Sequence, residues 1–460
     1  MRRFGLVWLF SLSSYLAACK FPELPPLEED AASIDASAID VPTGTECVPS
    51  TQTCSAGRYT QCDGNGYFVT HAIPNGDFDG SATSIVMNSY QCPMFACHAS
   101  QPRCADIDAS YGLNAALDAA GTDATGVDVI LPRSPSVPAG TIRVDTNSYD
   151  PGTQETTIVD ADSVSVRVPA MVLAQAGGPE ILVLKTRTFT VRAGNRVLVR
   201  GDRAFAVAAH FDVFIAGTVD LSAFEPGGAW QDFRGPGSST ASACSGVYSQ
   251  NSAGGGGNVG GGGRPGAGAG TAGGPQSTAF LAGGCDGGML NIAQPFGGGA
   301  LQIASRTRVA VAAGALVDVS GGRGVWINPG VGVGALGGGS GGTVIIEAPA
   351  IILVSGAVVA GRGGSGSVVD GVNGTGVHGN EGTITGTAGA ASVTCSGCGV
   401  SGAGGTESTL SGADGAGAGA AGGGSVGRCV TRNHSGVLVP EAGAMKIFHT
   451  VSTLAPRSPP

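Results

Sequence analysis

Short runs in which apolar and polar residues alternate dominate the body of this chain. From Phe189, apolar residues recur at Val191, Val197 and Val199, and Gly201 follows. From Phe205 the same offsets of two, eight, ten and twelve give Val207, Val213, Ile215 and Gly217. From Leu301 they give Ile303, Val309 and Val311, with Gly314 one residue late, and from Val344 they give Ile346, Ile352, Val354 and Gly356. A weaker fifth copy starts at Val437, with Val439, Met445 and Ile447. Thr190, Arg192, Arg196, Asp212, Gln302, Arg308 and Glu347 fall between these positions and point to the other face. Period-two alternation marks strands with one buried side. Gly194-Asn195, His210, Arg306 and Pro349 break each unit in the middle. Strand, corner, strand and glycine turn, stacked repeatedly, predict a mainly β fold of parallel β-helix or solenoid type over residues 121–450. The hydropathic stretch Val344–Ala360 reads as buried strands rather than a membrane helix, because Glu347 and Pro349 interrupt it and β-branched residues dominate.

The origins of the copies lie 16, 96, 43 and 93 residues apart. The extra length is largely glycine, of which the 460-residue chain has 81; residues 251–275 alone hold thirteen. Similar stretches occupy 321–342 and 361–427. They read as excursions from the solenoid corners, either flexible or ordered as extended glycine layers, and low-complexity composition favours disorder.

The start of the chain carries different information. Arg2 and Arg3 precede an apolar stretch, Phe4–Leu16, that is short for a membrane span. Leu16-Ala17-Ala18-Cys19 resembles the lipobox of bacterial lipoproteins. The resemblance implies a signal peptide over 1–18, cleavage before Cys19 and acylation of that cysteine. Several acyl chains on one residue anchor stably where a single chain does not. By resemblance to sorting rules, Lys20 directs the protein to the outer membrane. Residues 19–46 form a tether stiffened by Pro22, Pro25, Pro26 and Pro42 and extended by acidic residues. The net charge is −10, and lysine occurs only at 20, 185 and 446. Nucleic-acid binding needs a basic stripe, so that class of partner is excluded.

Export permits disulfides. Cys47, Cys54, Cys62, Cys92, Cys97 and Cys104 cluster in a region without a long apolar period, which predicts a small disulfide-rich module over 47–120. The spacing gives no C-x-x-C pair there, which disfavours zinc. The five later cysteines are Cys244, Cys285, Cys395, Cys398 and Cys429. Pairs such as Cys244–Cys285, and one of the Cys395-x-x-Cys398 sulfurs with Cys429, would pin the glycine excursions. Residues 451–460 read as a fraying tail.

The block Gly341-Gly342-Thr343-Val344-Ile345-Ile346-Glu347-Ala348-Pro349, followed by Gly356–Gly361, resembles glycine-rich right-handed β-helix proteins. These are pectin-lyase-like in fold and abundant as surface lipoproteins of myxobacteria and their relatives. Cys92-Pro93, Cys97 and Pro102–Ile107 are similar to the cysteine modules that precede such domains. The resemblance implies a right-handed helix and a cell-surface location more than a chemistry.

Several patterns are candidates for chemical sites. Gly338-x-Ser340-x-Gly342 fits a nucleophile elbow, but in a glycine run without a strand-to-helix context the match is expected by accident. Asp77 and Asp79, in Asn75–Gly80, resemble the start of a calcium loop that lacks its terminal glutamate. Asp220 and Asp318 sit in the related Val219-Asp220-Leu221-Ser222 and Val317-Asp318-Val319-Ser320. On adjacent rungs they would stack about 4.8 Å apart, which calls for a cation, a raised pKa or exposure at a corner. His378 has no clustered aspartates or basic pair near it in sequence. Trp230 and Trp326 are the tryptophans available for a sugar platform. The reading is a structural or adhesive scaffold, not an enzyme, with no cofactor beyond weakly indicated calcium. Its partners are the membrane, through lipid, and envelope or extracellular glycans or surface proteins. The alternative is a polysaccharide-binding or polysaccharide-degrading β-helix protein.

Overall fold

The computed structural model describes most of residues 109–433, with strand segments between 52 and 91 and between 445 and 451. Residues 1–51 lie outside the described residues, so the leader, Cys19 and the whole tether do too. In the cysteine-rich region Gln52–Ser55, Arg58–Gln61 and Ser89–Gln91 pair antiparallel, as do His71–Ile73 and Ile85–Met87.

The chain is mainly β, and its principal strands form three parallel ladders. The first ladder holds Ile181–Thr186, Ala204–Ala209, Ala300–Ser305, Thr343–Glu347, Arg428–Arg432 and His449–Val451. The second holds Asp128–Leu131, Thr188–Val191, Val213–Ile215, Arg308–Val311 and Ala350–Leu353. The third holds Thr141–Asp145, Arg196–Arg200, Thr218–Asp220, Leu316–Asp318, Val358–Ala360 and Met445–Ile447. From Ile181 to Ala360 the chain visits first, second and third ladder in that order and then begins again. An antiparallel meander, Glu155–Val159 and Ser165–Leu173, joins the third ladder to the first in one mixed sheet.

The alternation foreseen from sequence decides which residues face inward. Val144, Leu184, Phe189, Val199, Phe205, Ile215, Ile303, Val317 and Ile346 all belong to one apolar cluster fed by all three ladders. The Val344–Ala360 stretch contributes a strand to each ladder.

Three details of the sequence alignment are corrected. Phe205, Leu301 and Val344 are in register, but the residue before them in that column is Leu182, whereas Phe189 pairs with Val213 in the second ladder. Ile351 and Leu353, not Ile352 and Val354, continue the column of Val309 and Val311. The corner at Ala348-Pro349 is one residue shorter than at Ser305–Arg308, because register advances six residues from Ile303 to Val309 and five from Ile346 to Ile351. Met445 and Ile447 sit in the third ladder beside Val358 and Ala360, and residues 437–444 lie outside the described residues.

Residues 109–120, expected to close the cysteine-rich module, lie against the outer face of the first ladder. Leu113, Ala116 and Leu117 of the helix Leu113–Ala119 pack on Ile181, Val183, Ala206, Ala208, Ala304 and Ile345. This cover explains why the first ladder is buried on both faces, as in Ala204–Ala209 and Ala300–Ser305.

The glycine stretches all leave from one corner, between a third-ladder strand and the next first-ladder strand: 221–299, 319–342 and 361–427. The compositional expectation of disorder does not hold for their described residues, which form a buried layer of extended, mutually hydrogen-bonded runs. Successive amides of one run donate to three neighbouring runs in rotation. Gly422 and Ser425 donate to Ala253 and Gly256; Gly423 and Val426 donate to Ala413 and Leu410; Gly424 and Gly427 donate to Gly364 and Gly361. A threefold period without internal bonds is that of polyproline II, three residues per turn. Side chains would fill the space between runs. A methyl on Gly263 would lie 1.8 Å from the Ala413 carbonyl oxygen, and one on Gly424 would lie 2.1 Å from that of Gly339. Glycine is therefore the packing unit here, and backbone hydrogen bonds replace the apolar side chains of an ordinary core.

Candidate functional site

The two related aspartates do come together. Asp220 and Asp318 are register partners on adjacent third-ladder strands. Beyond the strand ends the pairing continues, with Leu221 N–H donating to the Asp318 carbonyl and Val319 N–H to that of Ala360. Each carboxylate folds back on its own turn. Asp220 Oδ1 accepts from the backbone N–H and hydroxyl of Ser222 at 2.9 and 2.7 Å, and Asp318 Oδ1 accepts from those of Ser320 at 2.9 and 2.6 Å. The repeated Asp-x-Ser sequence is thus a repeated local turn.

Their surroundings differ. Arg196 Nε donates to Asp220 Oδ2 at 2.7 Å, forming an ion pair across neighbouring rungs. On the next rung Ala360 stands opposite Asp318, and Arg362, which is fully buried, donates its backbone N–H to Ser320 Oγ. Loss of hydration and the neighbouring Asp220 push the Asp318 carboxyl up to about 6, against the smaller pull of the Ser320 bonds and Arg362. Burial in turn lowers the Arg362 guanidinium below its ordinary range.

The alternative of exposed carboxylates at a corner is therefore corrected: Asp220 is buried, Asp318 is partly buried, and guanidinium groups flank the pair. Calcium takes six to eight oxygen ligands. Among the described residues no group of three or more histidine, cysteine or acidic side chains gathers to hold a metal.

Because the folded pKa of Asp318 lies above the ordinary value of 3.8, the native state holds the proton more tightly than the unfolded chain. The group then subtracts stability as pH rises from about 4 to 6. Asp318→Asn, which keeps an acceptor for Ser320, should stabilise the fold by about 1–3 kcal/mol at pH 7.5 and by almost nothing at pH 3.5. Thermal midpoints of both proteins at the two pH values check this; equal midpoints at pH 7.5 would contradict it.

The other sequence candidates are dispersed. Ser340, of the G-x-S-x-G match, is fully buried; its hydroxyl accepts from Cys285 N–H at 2.7 Å and lies within donating distance of the Gly257 and Cys285 carbonyls. Trp326 and His378 meet, with ring centroids 5.9 Å apart, and the backbone N–H of Trp326 donates to His378 Nδ1 at 3.3 Å. Burial, with Arg323 nearby, pushes the imidazole down to about 4, leaving it neutral and weakly basic at neutral pH. Tyr248 does not extend this into a platform. Trp326 stands opposite Ala335, whereas the Tyr248 ring occupies the space a Gly334 side chain would take, on the other face of the same small sheet.

Cys244 and Cys285 are joined, with Cα atoms 5.7 Å apart, and tie two runs of the glycine layer together. The pairing of a C-x-x-C sulfur with Cys429 is corrected. Cys395 and Cys398 are joined to each other, and Cys429 belongs to the apolar core, in register with Val344. Cys47, Cys62, Cys92, Cys97, Cys104, Asp77, Asp79 and Trp230 lie outside the described residues, and of Cys54 only its place in a strand is described.

Alternation places Gln302 and Glu347 on an outer face, but in the structure they form a buried polar cluster. Glu347 is fully buried and accepts from Ser110 N–H and hydroxyl, Gln302 Nε2 at 2.7 Å and Arg432 at 3.0 Å. The available signal was a charged residue inside the apolar run Thr343–Ala348.

No protein-family model, curated protein or solved structure matches this chain.

Proposed function

We propose that this chain is an outer-surface lipoprotein, anchored through Cys19, whose body is a structural or adhesive scaffold built as a right-handed parallel β-helix. The cyclic visiting order of the ladders supports the helix, and the strong preference of parallel crossovers supports its hand. The observation that carries the functional reading is how the chemically capable side chains are used. Ser340, Asp220, Asp318 and Glu347 all bind within the fold, and the glycine excursions fill their space with backbone. A rigid body of this kind suits the display of exposed faces to envelope glycans or surface proteins.

Expression of the full chain in a Gram-negative host with labelled palmitate tests the anchor. Label should enter the protein, and the protein should fractionate with the outer membrane. Cys19→Ser should lose both properties; unlabelled wild-type protein in the soluble fraction would sink the reading. The second reading, polysaccharide binding or cleavage, draws on the partly exposed Trp326 beside His378. Products released from a polysaccharide panel, and lost in Asp318→Asn, would favour it instead.

A further inference from the structure

The two described disulfides are opposite in kind. Cys244 and Cys285 are 2 % and 0 % exposed and close a loop with a sequence separation of 41. Cys395 and Cys398 are both partly exposed and three residues apart, and Cys395 sits between exposed Thr394 and Ser396. A covalent link stabilises chiefly by restricting the unfolded chain, and the restriction shrinks with the loop it closes.

The second link also has little local work to do, because its turn is already held by other bonds. Cys398 N–H donates to the Cys395 carbonyl at 3.1 Å, and Thr394 hydroxyl to the Gly399 carbonyl at 3.3 Å. Ser401 N–H donates to the Val393 carbonyl, and Val393 N–H returns a bond to the Ser401 hydroxyl. Val400 and Ala416 exchange both backbone bonds at 2.7 Å, fixing the base of the turn to the neighbouring run. Opening the link would leave this frame standing.

We propose that Cys395–Cys398 is a thiol-exchange site, a surface disulfide whose reaction partners are external dithiols and disulfides. A thiolate of the dithiol attacks one cysteine sulfur, the Cys395–Cys398 bond breaks, and the departing sulfur leaves as thiolate and takes up a proton. The second thiol of the partner, losing its proton, attacks the mixed disulfide and releases the other cysteine. Two electrons have then passed to the pair, and the partner leaves oxidised. An external disulfide reverses the sequence. Accessible disulfides are the exchangeable ones, and buried links such as Cys244–Cys285 resist attack.

The test uses the oxidised full chain in stepwise increasing dithiothreitol at pH 8. Each point is quenched in acid, alkylated and read cysteine by cysteine by peptide mass spectrometry. Cys395 and Cys398 should reach half-alkylation at a roughly tenfold lower reductant level than Cys244 and Cys285. The thermal midpoint should be unchanged at that first step. Reduction of both links together, or a fall in the midpoint with the first step, would overturn the proposal. As an independent arm, Cys398→Ser incubated with oxidised glutathione should acquire a glutathione adduct at Cys395, and absence of the adduct would equally overturn it.

Discussion

Gly424→Ala should destabilise the protein by about 3 kcal/mol or more, although it adds one methyl group. The methyl would lie 2.1 Å from the carbonyl oxygen of Gly339 and 2.4 Å from its carbon. Neither can retreat cheaply. Gly339 donates to the Gly322 carbonyl and accepts from Gly364 N–H, while Gly424 donates to Gly364 and accepts from Gly405. Moving either run breaks bonds to a third, so the strain spreads through the layer. Gly314→Ala is the contrasting case. It has nothing within 4 Å but a φ of +71° at a turn, so it should cost only about 1 kcal/mol. Thermal or denaturant unfolding of the two variants checks the order; a smaller effect at Gly424 would mean that the layer is loosely packed.

The second large effect is expected at Glu347. Its carboxylate is surrounded by Ser110, Gln302 and Arg432 and has no exposed surface. Removing it in Glu347→Ala leaves polar groups that lost their water on folding and now lose their acceptor, at about 3–5 kcal/mol. Glu347→Gln keeps the shape and one acceptor oxygen, so it should lie between the variant and the native protein. Ser110 opens the 3-10 turn Ser110–Gly112 that leads into the helix covering the first ladder, and both its N–H and hydroxyl bind Glu347. Loss of the carboxylate should therefore raise amide hydrogen exchange over Leu113–Ala119 more than over the inward strands. Uniform protection in Glu347→Ala would separate the carboxylate from the attachment of that helix.

Much of the ladder architecture was legible because a strand with one buried face writes its geometry into alternate residues. Phe205, Leu301 and Val344 were aligned across excursions of very different length and stand in one column. The same rule could not tell one ladder from another, since Phe189-Thr190-Val191 alternates as Phe205-Ala206-Val207 does; only the pairing separates them. It also could not detect the residue missing from the corner at Pro349. The glycine layer was illegible for a different reason. Polyproline II runs packed on backbone have no side-chain period, so order and disorder share one composition. Of the chemistry, the Asp220–Asp318 juxtaposition followed from the repeated Asp-x-Ser turn. Arg196 and Arg362 did not, because both are set by register rather than by local sequence.

That all long excursions leave between the third ladder and the first bears on how such a chain can change length. Register neighbours Leu182 and Phe205 are joined by a short path, whereas Phe205 and Leu301 are separated by 96 residues of sequence. Closure entropy grows only as the logarithm of loop length, so the longer path costs about 1 kcal/mol more. The ladders are nearly indifferent to how much chain passes through that corner. What limits an insertion there is whether its backbone finds partners in the glycine layer. Segments added or deleted at this corner in runs that preserve the threefold bonding should leave the rungs untouched, which makes it the place where the protein can grow sideways without lengthening its core.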